Sequence, residues 1–429
     1  MLAAPAPGGV IARGAGRSYG DAAQNAGGTV LDLTALDRIL SIDDDALLVR
    51  VQPGVTYGEL LPALASRGLM FAVVPGTRYV TIGGAIASDI HGKSHHRDGT
   101  IARHIASLRV CTPSGGLREL TPERDPERFA ATVGGMGLMG VIVEATLRVQ
   151  RLASPWWSVD SDRTDSLEHT IAAMSGDEAH RYSVTWLDLM ARGAAIGRGV
   201  VMNSNDWGPL TGGQAPDADR RRPCTDPASL PPPRLQAPPH FPGAVLAPAV
   251  VRTFNSLRWH ASKRSERAVP MPLATHYFQL DLVRDWNRLY GSHGFVQYQF
   301  AVPPGAETAV VRCVELLNAR RIPAYLAVLK RLGAPADGPL SFPIEGWTLA
   351  LDIPASAPGL RPTLDELDDM VAGHGGRVYL TKDVRLRREL LETMYPQLER
   401  FRSQRAGVDP DGILRSDLGA RLGLCRAAA

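Results

Sequence analysis

At 429 residues the chain exceeds what one hydrophobic core usually serves, so two domains are expected; 44% hydrophobic against 21% charged side chains supplies enough apolar surface for both. A net charge of +3 offers no basic field for nucleic acid, and four widely spaced cysteines (Cys111, Cys224, Cys313, Cys425) with no CxxC pair indicate neither zinc nor a disulfide framework. No apolar run approaches the length of a membrane span and residues 1–10 lack the basic and apolar regions of an export signal, so a soluble chain with at most peripheral membrane contact is expected.

The first structured stretch, GVIARGAGRSY (9–19), is a short apolar strand running into a glycine turn. Gly14 and Gly16 open a GxG, but the third glycine of a dinucleotide fingerprint belongs at Tyr19; Gly20 is one place late and no clear helix follows. A nicotinamide Rossmann site is therefore set aside. What remains is either a tight structural turn or a row of free N–H groups, flanked by Arg13 and Arg17, suited to a pyrophosphate. Residues 29–33 and 46–51 follow as strands, 57–67 as a helix closed by Gly68, and 70–74 as a short apolar strand.

That strand leads into PGTRYVTIGGAIASDIHGKSHH (75–96). Pro75-Gly76-Thr77 is a turn signal, and Gly83-Gly84-Ala85 leaves the backbone nearly bare, open to another chain or a flat ligand. Asp89, His91, Lys93, His95 and His96 then crowd titratable groups into eight residues. Gly92-Lys93-Ser94 imitates the end of a phosphate loop, but the earlier glycine that motif needs is Ala87, and Asp89 would put a carboxylate in the cradle. His91, His95 and His96 are close in sequence, yet the surrounding glycines argue for a loop and no acidic or thiol partner has a metal-ligand spacing, so no metal is expected. Bare backbone beside concentrated acid–base chemistry indicates a cofactor site.

Downstream, 105–111 and 117–120 flank Pro113-Ser114-Gly115-Gly116 as a hairpin, FAATVGGMGLMG (129–140) is a second glycine-rich stretch, and 141–149 is a strong strand. These elements make a mixed α+β cofactor domain over residues 1–154. A strand is expected at 183–188. Residues 205–250 hold eleven of the 33 prolines and read as a flexible loop or extended linker. Residues 250–267 place Val250, Phe254, Leu257 and Ala261 at helical spacing among Arg252, Arg258, Lys263, Arg264 and Arg267. Such a segment either rests on an anionic membrane surface or lipid phosphate, or docks with a solvated basic face. Strands at 295–302, 325–330 and 347–353 alternate with or precede helices at 307–320 and 362–372. Gln297 and Gln299 thereby share a face opposite Val296, Tyr298 and Phe300, suited to a hydroxylated substrate. The last segment carries YLTKD (379–383), in which Lys382 is a surface charge or a site residue, and a helix near 387–401.

RGAGRSYGD (13–21), VPGT (74–77), TIGGAIASDIHGKSHH (81–96), ATVGGMGLMGVI (131–142), WNRLYG (286–291), FVQYQF (295–300), PLSFPIEGW (339–347), YLTKD (379–383) and VDPDGILRSDL (408–418) run in order across nearly the whole chain. Together they resemble the flavoprotein oxidoreductases of the vanillyl-alcohol-oxidase type, in particular those acting on polyprenylphosphoryl ribose. The resemblance implies an α+β, two-domain fold: a PCMH-type FAD-binding domain from residues 1–154 completed by 377–429, and an antiparallel-sheet substrate domain over 155–376 that contains the proline-rich loop. Relatives usually have one more strand–helix unit before the glycine turn, so the cofactor domain is expected to lack an edge element.

Carried over by position, Ala12, Arg13, Gly14, Ala15, Gly16, Arg17, Ser18, Tyr19, Gly20, Asp21 and Ala22 would wrap the FAD pyrophosphate, joined by Gly76, Thr81, Ile82, Gly83 and Gly84. Ser88, Asp89, Ile90, His91, Ile142 and Tyr379 would complete the flavin pocket, with His91 by the ring. Tyr19, Gln299, Lys330, Thr348 and Lys382 would face the substrate, and Trp186 and Trp347 are either pocket walls or core. Where relatives often carry Asn and Cys on the strand facing the flavin, this chain has Thr348 and Ala350, which leaves the exact sugar open. Relatives that attach FAD covalently often carry His in the glycine turn; Arg17 stands there, so the flavin is expected to be non-covalent.

The implied reaction is oxidation of the ribose 2′-hydroxyl of a polyprenylphosphoryl ribose to a 2′-keto intermediate in arabinan precursor epimerisation for the cell wall. Lys382 would be the acid–base or alkoxide-stabilising group and His91 would assist. A keto-reductase would complete the epimerisation. The expected location is the cell envelope, at its periplasmic face or peripherally on the membrane, with the cytoplasm open. The alternatives are an alditol or sugar-lactone oxidase, and a flavin-retaining binding partner without catalysis.

Overall fold

Most strands collect into two antiparallel sheets, of five and eight strands, in the computed structural model, which describes residues 8–207, 230–233, 235–238 and 247–425. Most of the proline-rich stretch at 205–250, with Cys224, lies outside the described residues. The first sheet has the order Ile39–Asp43, Leu48–Val51, Val141–Arg148, Ile105–Thr112, Gly116–Leu120. Alternation puts Val49, Val51, Leu108, Val110, Ala145 and Leu147 on its buried side, in one cluster with Leu60, Leu61 and Leu64 of the helix Tyr57–Ala65. That helix starts where it does because Thr56 and Glu59 cap one another. The Thr56 hydroxyl accepts from the Glu59 N–H, and the Glu59 carboxylate accepts from the Thr56 N–H, an arrangement worth about 1 kcal/mol.

A parallel pair, Val10–Arg13 with Thr29–Asp32, delivers the first glycine turn. The far end of the chain returns to it: the Val10 N–H donates to the Ile413 carbonyl (2.7 Å) and the Arg415 N–H to the Val10 carbonyl (2.9 Å). Arg421 adds a charged tie. Its guanidinium donates to both Asp21 oxygens (2.8 and 3.0 Å), to Asp383 (2.9 Å) and to the Leu386 carbonyl (2.9 Å). Because the Asp383 side chain is almost fully buried, removing its counter-charge is costly. We expect Arg421→Ala to lower unfolding stability by about 1–3 kcal/mol, read by urea titration.

The second sheet has eight antiparallel strands in the order Ser265–Pro272, Trp156–Thr164, Arg198–Asp206, Tyr182–Asp188, Leu326–Leu332, Gly346–Pro354, Phe295–Val302, Arg377–Val378. One face packs on the helices Glu307–Ala319 and Leu360–Gly373 through Phe300, Leu329, Leu349, Leu351, Val314 and Leu367. Tyr298 points to that side too, its hydroxyl donating to Asp368 (3.0 Å). The opposite face carries Gln297, Gln299 and Lys330 toward the glycine turns.

Several elements depart from expectation. The strands Ile39–Asp43, Trp156–Thr164 and Arg198–Asp206 carry many polar residues and escape a reading based on apolar runs. Of the strand expected at 70–74, only Leu69–Met70 pairs. The C-terminal helix is two, Arg388–Met394 and Leu398–Val408, since Pro396 turns Tyr395 out of helical geometry. The basic segment is a helix only over Pro248–Ala261; Ser265–Pro272 becomes the sheet's edge strand. This helix docks by polar contacts, Asn255 Nδ2 donating to Asp188 (3.1 Å) and Arg252 Nε to the Met190 carbonyl (3.1 Å). Val250, Phe254 and Leu257 are left facing outward.

Candidate active site

A cavity of about 470 Å³ is bounded by the glycine turns at one end and the polar face of the eight-stranded sheet at the other. At the glycine end, the N–H groups of Ala15, Gly16, Arg17 and Ser18 make no hydrogen bond to other described residues. The two glycine clusters meet: a Cβ on Gly14 would lie 2.1 Å from the Thr81 hydroxyl oxygen, so only glycine allows this approach. Thr81 is itself held as the N-cap of Ile82–Ala87, accepting from the Gly84 N–H (3.3 Å). The turn after Pro75 is clamped by Asp281, which accepts from the Thr77 hydroxyl (2.9 Å) and the Arg78 N–H (2.7 Å).

At the sheet end the Gln299 amide donates to His91 Nε2 (3.1 Å) and to the Thr348 hydroxyl (3.2 Å). A neutral His91 that accepts at Nε2 carries its proton on Nδ1, which is buried and has no partner in the described chain. Tyr379 stacks on Phe342 (centroids 4.4 Å apart) and donates to the Ser88 carbonyl (2.8 Å). The Lys382 ammonium lies 3.9 Å from the Tyr19 ring centroid. These features fit a flavin dinucleotide: unencumbered N–H donors for a pyrophosphate, and a buried, unsatisfied donor at the far end for a ring heteroatom.

Of the residues singled out from the sequence, Ala12 through Tyr19, Ala22, Gly76, Thr81, Gly83, Gly84, Ser88, Ile90, His91, Ile142, Gln299, Lys330, Tyr379 and Lys382 line this cavity. Five do not. Gly20 is pressed on the Asp383 carbonyl, where a Cβ would sit 1.7 Å from the oxygen, and Asp21 is turned to Arg421. Ile82 is fully buried in the first core. Asp89 is fully buried behind the wall, accepting from the Ser341 hydroxyl (2.5 Å) and the Ala102 N–H (3.3 Å). Thr348 is also fully buried, reached only through Gln299. Trp186 is a wall, whereas Trp347 faces the helical layer and donates from Nε1 to Glu307 (3.0 Å).

Gln297, placed beside Gln299 by alternation, lines the cavity with it; Lys93 and Arg258, noted in the sequence without a place in the pocket, line it too, and Asp352 behind them was missed. Lys93 stands in the stretch rich in titratable groups, and its ammonium donates to the His276 carbonyl. Asp352 is cross-strand from Gln297 and shares the alternation of Thr348 and Ala350, a signal that was present.

Residues 3–121 match the model of the FAD binding domain family. The decaprenylphosphoryl-β-D-ribose oxidase of Mycolicibacterium smegmatis is 40% identical over 419 residues, 97% of this chain and 89% of that protein. The chain belongs to the same family of FAD-dependent oxidoreductases. A Streptomyces coelicolor protein described only as lying in the mprA 5′ region is 37% identical over 86% of this chain and its own full length. The likeness to a rice mitochondrial L-galactono-1,4-lactone dehydrogenase, 30% over 158 residues, covers only 25% of that enzyme.

In this FAD-dependent oxidoreductase three lysines, Lys93, Lys330 and Lys382, face one cavity. Burial lowers Lys93 and Lys330 to about 8. It lowers Lys382 to about 7, opposed by the Asp352 carboxylate and reinforced by Lys330. Asp352, itself buried, is raised to about 6; it accepts from Gln297 (2.5 Å) and the Tyr290 hydroxyl (3.3 Å). His91 is held neutral, chiefly by burial and then by Lys330. An amine near 7 holds both proton states at neutral pH, as a general acid–base group requires. Asp352→Asn removes the charge that favours protonated Lys382, so its pKa falls further. The acid limb of the pH profile for flavin reduction is expected to move down by about one unit, measured by stopped-flow bleaching across pH.

Proposed function

We propose that the chain oxidises the 2′-hydroxyl of a polyprenylphosphoryl ribose to the 2′-ketone. The observation that carries this reading is the convergence of Lys382, Gln299 and His91 at the end of the cavity opposite the bare glycine turns. FAD, when bound, supplies a two-electron acceptor for the hydride on C2′. Lys382 in its neutral form takes the hydroxyl proton, and in its protonated form stabilises alkoxide character on the same oxygen. Gln299, fixed by Thr348 and His91, offers its amide to the sugar; Lys330 and Tyr19 set the polarity and width of the seat. The reaction leaves a ketone, and a partner keto-reductase would return it to the opposite hydroxyl configuration. We place the chain at the cell envelope, peripherally on the membrane; among the described residues no helix is long and apolar enough to cross it.

Anaerobic addition of polyprenylphosphoryl ribose should bleach the flavin absorbance within seconds. Bleaching by L-galactono-1,4-lactone or alditols, with none by the lipid-linked ribose, would overturn the substrate assignment. Among the described residues the cavity wall holds His91 but no cysteine, and His91 Nε2 is engaged by Gln299. We therefore expect all yellow colour to move into the supernatant on acid precipitation; a yellow pellet would show a covalent link.

A further inference from the structure

The helix Pro248–Ala261 turns its apolar stripe the wrong way for a globular core. Val250, Phe254 and Leu257 are 48%, 62% and 66% exposed, while the face against the protein buries Val251 and is held by hydrogen bonds from Asn255, Arg252 and Trp259. Buried apolar stripes are the rule for surface helices, and an outward one marks an interaction site. Four residues on from Phe254, Arg258 lines the cavity, its guanidinium carbon 4.5 Å from the ring centroid of Trp186, a cavity wall. No ion pair or side-chain hydrogen bond with another described residue holds that guanidinium. Of the cations at this end of the fold, Arg252 is held by the Met190 carbonyl, Lys263 pairs with Glu266 (2.7 Å) and Arg267 with Asp162 (2.9 Å), while Arg258 and Arg264 have no carboxylate partner among the described residues. An outward apolar stripe flanked by cations is the chemistry of a helix lying at an anionic lipid surface.

We infer that the outer face of this helix seats the protein on an anionic bilayer leaflet, with Phe254 and Leu257 in the headgroup–acyl boundary and Arg258 receiving the phosphate of a lipid-linked substrate at the cavity mouth. The inference rests on the substrate reading above and adds to it the surface by which that substrate is met. A lipid whose phosphate is held at Arg258 leaves its sugar directed into the cavity and its chain along the exposed stripe, so it need not leave the membrane.

The test uses the full-length flavoprotein and vesicles of phosphatidylcholine with or without roughly one-third phosphatidylglycerol. The parent is expected to co-sediment with the anionic vesicles and not with the neutral ones. Phe254→Ser/Leu257→Ser is expected to bind the anionic vesicles at least about tenfold more weakly. It should also bleach at least about tenfold more slowly with vesicle-embedded polyprenylphosphoryl ribose, yet at the parental rate with a water-soluble short-chain analogue. Arg258→Gln is expected to raise KM for both substrates by about tenfold with kcat kept. Parental co-sedimentation of the double variant, or a parent that self-associates in solution while the double variant is monomeric, would overturn the docking surface, the second outcome assigning the face to another copy of the chain. A parental KM in Arg258→Gln would remove the phosphate contact. Failure of the soluble analogue to bleach the parent would overturn the substrate reading instead, and vesicle binding would still report on the surface.

Discussion

Lys382→Ala is expected to slow anaerobic flavin bleaching by polyprenylphosphoryl ribose about 10²–10⁴-fold while the bound-flavin spectrum stays unchanged. The loss follows from the proton inventory: hydride departure from C2′ needs the hydroxyl proton removed in the same step, and burial has brought Lys382 to about 7. For the parent the sign is definite. Neutral amine increases as pH rises through about 7, so bleaching should accelerate through that range and then level off. Lys382→Arg is the sharper comparison, since a guanidinium keeps its charge at all these pH values. It is expected to be slow at every pH, without the rise through 7. Parental rates in a folded, yellow Lys382→Ala chain would remove Lys382 from the chemistry.

The second large effect concerns cofactor retention. A Cβ built on Gly76 meets no protein atom within 4 Å and the backbone there is not left-handed, yet the residue lines the cavity. Gly76→Leu should therefore fill the cofactor's seat without disturbing the fold. We expect FAD binding to weaken by about 100-fold or more, on the order of 3 kcal/mol, with the melting temperature of the flavin-free protein unchanged. Gly14→Ala gives a contrasting outcome, because its Cβ collides with Thr81 in the protein itself and should lower that melting temperature. A yellow Gly76→Leu chain with parental affinity would show that the flavin passes elsewhere.

These tests separate positions that look alike in sequence. Gly14, Gly20 and Gly76 are all glycines in flavin-type turns, but one touches Thr81, one packs on Asp383 and one faces open space. Asp89 and Asp352 are both acidic residues near the site. The first is satisfied by Ser341 and Ala102 behind the wall, while the second favours the protonated form of Lys382.

Local chemistry was enough to indicate a cofactor site and a polar substrate face, and the family resemblance named the cofactor. Bare backbone at residues 14–16 and 83–84 excludes side chains from a dinucleotide's path, and strict alternation across FVQYQF separates Gln297 and Gln299 from Tyr298 and Phe300 whatever packs around them. Tertiary structure alone decided what each face meets. Alternation cannot tell a cavity from a covering helix, so Trp347 went to the helical layer and Thr348 to a place behind Gln299. It also cannot tell which side of an amphipathic helix docks: Pro248–Ala261 is held through Val251, Asn255, Arg252 and Trp259, which leaves Phe254 and Leu257 in the open. The pKa of Lys382 likewise depends on distant segments, because desolvation, Asp352 and Lys330 act on it only once the chain has closed.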